Sequence, residues 1–238
     1  MRRLLCFTLC LLPTLALVTP AAEPAKLEKS WDTPHGLRFT VKSSKPQDVE
    51  CDLQVMGWFE HDPKGDTVVD VIVAFDQAMG RPIKNLVDKG AFTAAPLETV
   101  LLTPPAGAMK PKQVLMVGYG SKDKFALDAF KGVAAVTARE AVRLKAKKIA
   151  FAPAIIDQGY DKLHAKDVAP VFTRAFLTAY DTEMRLQADG LAPEFKLDEI
   201  YLEAGKTHFD DVVSGAAAGI DQAKADIAKR GTESYRNK

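Results

Sequence analysis

The sequence predicts a three-layer α/β domain in which a mostly parallel (mixed) sheet lies between helices, and three observations lead there. Apolar runs of strand length alternate along the chain with helical patterns of roughly 15 to 20 residues, the order that gives parallel strands joined by crossover helices. Gln113–Val117 (QVLMV) is a continuous apolar run of the kind found in a strand buried on both faces. The 238 residues are 47% hydrophobic and 26% charged, enough for one sizeable core, and no repeat or linker divides them.

In chain order, residues 1–21 are expected to be a secretory signal. Arg2 and Arg3 precede the apolar stretch Leu4–Val18, and Thr19-Pro20-Ala21-Ala22 offers a small-residue cleavage end. The stretch is shorter than the ~20 residues of a spanning helix and is broken by Pro13. An exported protein, periplasmic or secreted and without stable membrane insertion after cleavage, is therefore expected. Cleavage after Ala21 removes two arginines and no acid, taking the formal charge from +1 to −1. It also removes Cys6 and Cys10, which leaves Cys51 with no partner for an intramolecular disulfide.

Residues 22–36 are expected to be a flexible mature N-terminus, charged and Pro-containing, and 37–238 the α/β domain. Leu37–Val41 alternates in the strand manner, and Cys51–Phe59 gives a second strand before the turn-rich His61–Asp66. Val68–Met79 fits a buried strand or a helix equally. Ile83–Lys89 reads as a short helix with Gly90 just past its end. Glu98–Thr103 is a strand closed by Pro104-Pro105, and Gln113–Val117 is the next. Phe125–Ala146 is a long helix, with Leu127, Phe130, Val133, Ala134, Ala138, Ala141 and Val142 on one stripe. Lys148–Ala152 is a strand ended by Pro153, Asp167–Arg185 a helix and Leu197–Leu202 the final strand. His208 to about Lys229 is an alanine-rich helix whose Gly215–Ala218 stretch suits close packing, within the core or against a second subunit.

The near-neutral charge gives no broad pull toward phosphate backbones. Lys145, Lys147 and Lys148, like Lys224, Lys229 and Arg230, read as solvated faces, so no nucleic-acid partner is expected. His35, His61, His164 and His208 form no HExxH, HxH or HxxxH pair, and no metal or cofactor site is expected. Asp70, Asp76, Asp123, Asp128 and Asp181 are scattered among segments, Cys51 reads as a buried structural cysteine, and no catalytic residue emerges. The sharpest candidate is the loop Gly118-Tyr119-Gly120-Ser121-Lys122. It stands at the carboxyl end of a buried strand and before a helix, where open α/β sheets hold ligands and free N–H groups meet anions. It lacks the third glycine of a dinucleotide fingerprint and the Gly-Lys-Ser/Thr of a P-loop, so a plain tight turn is the competing reading.

The segments resemble, in order, the N-terminal domain of the leucyl aminopeptidases, the M17 peptidases. The resemblance is carried by CDLQVMGWFE, AFDQAMGRPIKNLVDKGAF, ETVLLTPP, KPKQVLMVGYGSKDKFALDAF, AFLTAYDTEM and LDEIYLEAG, over roughly residues 37 to 230. It implies a macro-domain-like fold. In that family a separate C-terminal domain supplies the metal-binding lysine, aspartates and glutamate together with an N-T-D-A-E-G-R motif. The motif does not occur in this sequence, so no catalytic residue carries over. The resemblance therefore implies a non-catalytic binding or regulatory domain, acting with a partner such as an M17 catalytic subunit or by self-association. Two alternatives stand beside it: a macro-like protein that binds or acts on an ADP-ribose-type nucleotide at Gly118–Lys122, and an aminopeptidase name carried by likeness without the residues for it.

Overall fold

The computed structural model of the chain describes residues 27–62, 70–231 and 233–236. The expected signal segment 1–21 lies outside them. Seven strands form one sheet: β1 (Glu28–Asp32), β2 (Arg38–Lys42), β3 (Leu53–Phe59), β4 (Thr99–Leu102), β5 (Gln113–Gly120), β6 (Lys148–Ala152) and β7 (Glu199–Glu203). Their spatial order is β1-β2-β7-β6-β3-β5-β4. The five inner strands are parallel, and both edge strands run antiparallel to their neighbours. The sheet is mixed and mostly parallel, as the alternation of elements predicts.

Alternation along the inner strands sends side chains to two faces. Leu53, Val55, Leu115, Val117, Ile149 and Phe151 meet α3 (Ala129–Arg143), α4 (Ala165–Ala188) and α5 (Phe209–Lys229) in the main core. Phe172 of α4 stacks on Phe151 with ring centroids 4.0 Å apart and planes 4° from parallel. Each such fully buried side chain contributes about 1.5–3 kcal/mol. On the other face Met56, Val114 and Met116 pack under α1 (Asp70–Ala78) and α2 (Pro82–Asp88). Beside them the β2–β3 connection lies over the sheet, where Val49 and Cys51 meet Ala150 and Tyr201.

Of the ambiguous Val68–Met79 run, the described part Asp70–Ala78 is a helix. Ile72, Phe75 and Asp76 in it and Met79 just after it are buried, a 3–4 residue spacing that only a helix turns to one side. Asp76 then bonds the backbone N–H groups of Ile83 and Lys84 at 2.9 and 3.2 Å, satisfying the free start of α2. Residues 22–36, expected as a flexible tail, are corrected over part of their length: Glu28–Asp32 is a paired edge strand. Its exposed, polar EKSWD carries only Trp31 against the core, so the apolar signal for a strand is nearly absent. Glycines bring α5 onto α4. A Cβ on Gly219 would stand 2.6 Å from the Pro170 carbonyl oxygen, and one on Gly215 2.8 Å from the Ala169 Cβ, so the small-residue stretch is a core contact.

One buried acid ties the far ends of the chain together. Asp181 of α4 is fully buried, accepting from His35 Nε2 at 2.8 Å, Arg185 Nε at 2.8 Å and Arg230 Nη1 at 3.0 Å. Desolvation pushes its carboxyl up, but the hydrogen bonds from His35, Arg185 and Arg230 outweigh it and hold the group below its ordinary 3.8. A carboxyl held low in the folded state contributes stability that is complete at neutral pH and lost as pH falls through its folded value. Asp181→Asn is therefore expected to lower stability by about 3 kcal/mol near neutral pH, with the gap to the unmodified protein narrowing at acid pH as the carboxyl takes up its proton. Urea unfolding at neutral and acid pH checks this.

Candidate functional site

The structure places the sequence-predicted loop inside the fold. β5 continues through Gly120, and the backbone groups of its end are taken by the segment before β4. Gly118 N–H donates to the Glu98 carbonyl at 2.7 Å and Gly120 N–H to the Ala94 carbonyl at 2.9 Å, while Leu97 N–H donates to the Gly118 carbonyl at 2.9 Å. A Cβ on Gly118 would stand 2.0 Å from the Ala95 carbonyl oxygen, so the glycine is required by close backbone approach. Tyr119 is the extra residue where the β3–β5 register shifts at Trp58/Phe59, a β-bulge. Its ring lies over Gly57, among Phe59, Phe125 and Phe130, and its hydroxyl donates to the Pro153 carbonyl at 2.8 Å. Gly118, Tyr119 and Gly120 are thus packing residues, and the two glycine N–H groups are not free for an anion. Ser121 Oγ accepts from Asp123 N–H at 3.3 Å, and Lys122 reaches a cavity at the end of β3.

That cavity, about 340 Å³, lies between the end of β3 and α1–α2, with Trp58, Arg81, Lys84 and Lys122 in its wall. A larger one of about 460 Å³ opens at the carboxyl edge of β2, β7 and β6, within the ~300–1,000 Å³ of small-molecule sites. Three connections far apart in sequence build it: Ser43–Pro46 after β2, Ala152–Asp157 after β6, and Glu203–His208 leading into α5. Its wall is mainly apolar, with Ile155, Leu163, Val168 and Val212 from the β6–α4 segment and the first turns of α4 and α5. Lys45 and Lys206 are exposed at its rim.

Gln158 holds the β6–α4 segment in place. Its amide accepts from Phe59 N–H at 2.9 Å and donates to the Gly57 and Ala154 carbonyls at 3.0 and 3.1 Å, joining this wall to the end of β3. Ala154, in the wall, has φ 50°, a left-handed conformation that a non-glycine residue adopts only when its surroundings impose it.

Two further site residues escape sequence reading. Glu203 of β7 lines the large cavity and is 8% exposed, and its Oε1 accepts from Gln54 Nε2 at 2.7 Å. Burial pushes the Glu203 carboxyl up to about 8, against the opposing effects of Gln54 and Lys42. Glu203 and Gln54 stand 149 residues apart, so no local motif joins them; the only signal is Gln54 as the polar residue of an apolar strand and Glu203 as one of two acids at the ends of β7. Cys51 is buried close by, and burial together with the Glu203 charge drives its thiol far up.

The histidines separate. His35 serves Asp181, His164 and His208 stand at the starts of α4 and α5, and His61 lies just after β3. Among the described residues no three His, Cys, Asp or Glu gather so as to hold a metal, and no helix is long and apolar enough to cross a membrane.

Two outcomes follow from this placement. Gly118→Ala is expected to cost about 3 kcal/mol in thermal or urea unfolding, because the new methyl overlaps backbone. Cys51 is expected to resist iodoacetamide in the folded protein and to react in about 6 M urea. Peptide mass mapping, which reads Cys51 separately from Cys6 and Cys10, measures it.

The profile of the cytosol aminopeptidase family, N-terminal domain, matches residues 55–183, more than half of the chain. A probable cytosol aminopeptidase of Roseiflexus castenholzii is 25% identical over 185 residues, covering 77% of this chain and 34% of the relative. The chain thus spans about a third of that relative's length. Among solved structures, a macrodomain of Oceanobacillus iheyensis with MES bound superposes at TM-score 0.54, with 9% identity over 83% of this chain and 100% of that one. The same macrodomain with ADP gives 0.53 at 10% identity, over 87% of this chain and 100% of the other. A variant of tomato leucine aminopeptidase gives 0.50 at 16% identity, over 74% of this chain and 34% of that one. At these identities the structures speak for a shared macro-domain-like fold.

Proposed function

Because this chain belongs to the cytosol aminopeptidase family through its N-terminal domain, we propose that it works as a non-catalytic binding domain whose recognition element is the carboxyl-edge cavity. The observation that carries this is the cavity itself: about 460 Å³, walled by packed apolar side chains, and placed where parallel strands end. Open α/β sheets hold ligands at that edge because strand ends, loops and helix starts converge there. The geometry favours a small ligand over a docked partner or a second copy. The exposed large apolar side chains Leu27, Val73, Leu97, Leu101, Ile156, Leu191 and Tyr235 come from separate segments of the chain, apart from Leu97 and Leu101 at β4. Export, supported by the composition of residues 1–22, belongs to the same proposal, and the N-terminal residue of protein recovered from periplasmic or culture fractions tests it.

An ADP-ribose-type nucleotide is the ligand class to test first. Lys45, Lys206 and the starts of α4 and α5 favour phosphates at the rim, and the apolar wall suits a base. A macrodomain of the same fold has been solved with ADP. Calorimetric titration of the full chain with ADP-ribose is expected to show binding that weakens about tenfold in the Lys45→Ala/Lys206→Ala double variant and falls with added salt. Absence of both heat and thermal shift at millimolar nucleotide would remove the nucleotide reading.

A further inference from the structure

The carboxyl-edge cavity is apolar within and basic at its rim, yet it contains one carboxyl group that the protein leaves half satisfied. Glu203 is 8% exposed, its Oε1 accepts from Gln54, and its Oε2 is buried with no hydrogen-bond partner among the described residues. Ser44, which lines the same cavity from the β2–β3 connection, has a buried Oγ in the same condition, and so has the Gln54 Oε1 beside Glu203. A buried oxygen left without a partner costs about 1–3 kcal/mol, so each such group calls for an explanation.

The charged groups of the surrounding elements do not fill this need. Lys42, paired in register with Glu203 across β2 and β7, sends its Nζ to Glu28 at 3.5 Å and over the Tyr201 ring at 4.9 Å. Lys45 and Lys206 are exposed, His208 is half-buried at the start of α5, Asp157 is another acid, and Cys51 carries an uncharged thiol.

We propose that the cavity takes a primary amine with an apolar body, its ammonium donating to Glu203 Oε2 and Ser44 Oγ while its hydrocarbon lies against Ile155, Leu163, Val168 and Val212. An ammonium brings three donors and no acceptor, which matches a wall whose unmet groups are oxygens. This deepens the reading of the cavity as a ligand site and rests on it. The nucleotide reading addresses the rim, whereas this one addresses the buried acid. Burial keeps the Glu203 carboxyl protonated up to about pH 8. Seating a cation beside it therefore expels its proton, and affinity climbs with pH until that value and then levels off.

The test is calorimetry on the full chain with 3-methylbutylamine, its matched alcohol 3-methylbutan-1-ol, and ADP-ribose, in two buffers of different ionisation enthalpy. The amine is expected to bind at least about tenfold more tightly than the alcohol, to release close to one proton per molecule at neutral pH, and to weaken up to about tenfold per pH unit below pH 8. Glu203→Gln is expected to abolish the preference for the amine and the proton release. The buffer and pH series on the unmodified chain stand whether or not that variant folds. Binding of the alcohol or ADP-ribose without preference for the amine, or an amine signal without proton release, overturns this inference and leaves the cavity reading intact. Failure of all three probes to bind removes both.

Discussion

Everything in this fold depends on the burial of β3 from both sides. The strand lies between β6 and β5, and six of its seven residues are buried. A parallel strand in that position has no solvent face, so each side needs its own cover. Leu53, Val55 and Phe59 call for the three-helix layer, and Met56 for α1 and α2. Gly57 goes further: the space a side chain would fill is taken by the Tyr119 ring, which the β-bulge in β5 delivers there. The aromatic cluster around Tyr119 and the Gln158 amide then fix the β6–α4 segment, so the wall of the larger cavity is set by the same strand.

How much of this can be read from the sequence follows from where each signal is stored. α3 was legible because Phe130, Val133, Ala134, Ala138, Ala141 and Val142 repeat at helical spacing within one segment, and all are buried. β1 was not, because an edge strand pairing by backbone alone needs no apolar pattern. The Gly118–Lys122 loop left a turn and a ligand loop both open for a physical reason. Glycine is demanded equally by a ligand approaching the backbone and by another stretch of backbone doing so, and here the Ala94–Ala95 peptide occupies that space. Only contacts across sequence tell the two apart. The carboxyl-edge cavity was illegible for a related reason, since its three connections lie more than a hundred residues apart at the extremes and none carries a motif.

Two buried carboxyls, one on a helix and one on a strand, differ in what surrounds them. Both lose solvation on folding, which alone would neutralise them. Asp181 stands where His35, Arg185 and Arg230 converge from the N-terminal turn, its own helix and the end of α5, and their hydrogen bonds outweigh the loss. A group so fully paired gains nothing from a ligand, and its effect is to lock the last helix and the first turn onto α4. Glu203 receives one amide hydrogen bond and a weaker influence from Lys42, and desolvation prevails. Its uncharged state is what allows an acid to stand in an apolar wall without a counter-ion. The same state leaves it responsive, because any group that donates to Oε2 changes the balance that Gln54 alone leaves unfinished. Asp181 therefore holds the fold together, while Glu203 gives the cavity a chemical preference that its apolar lining could not supply.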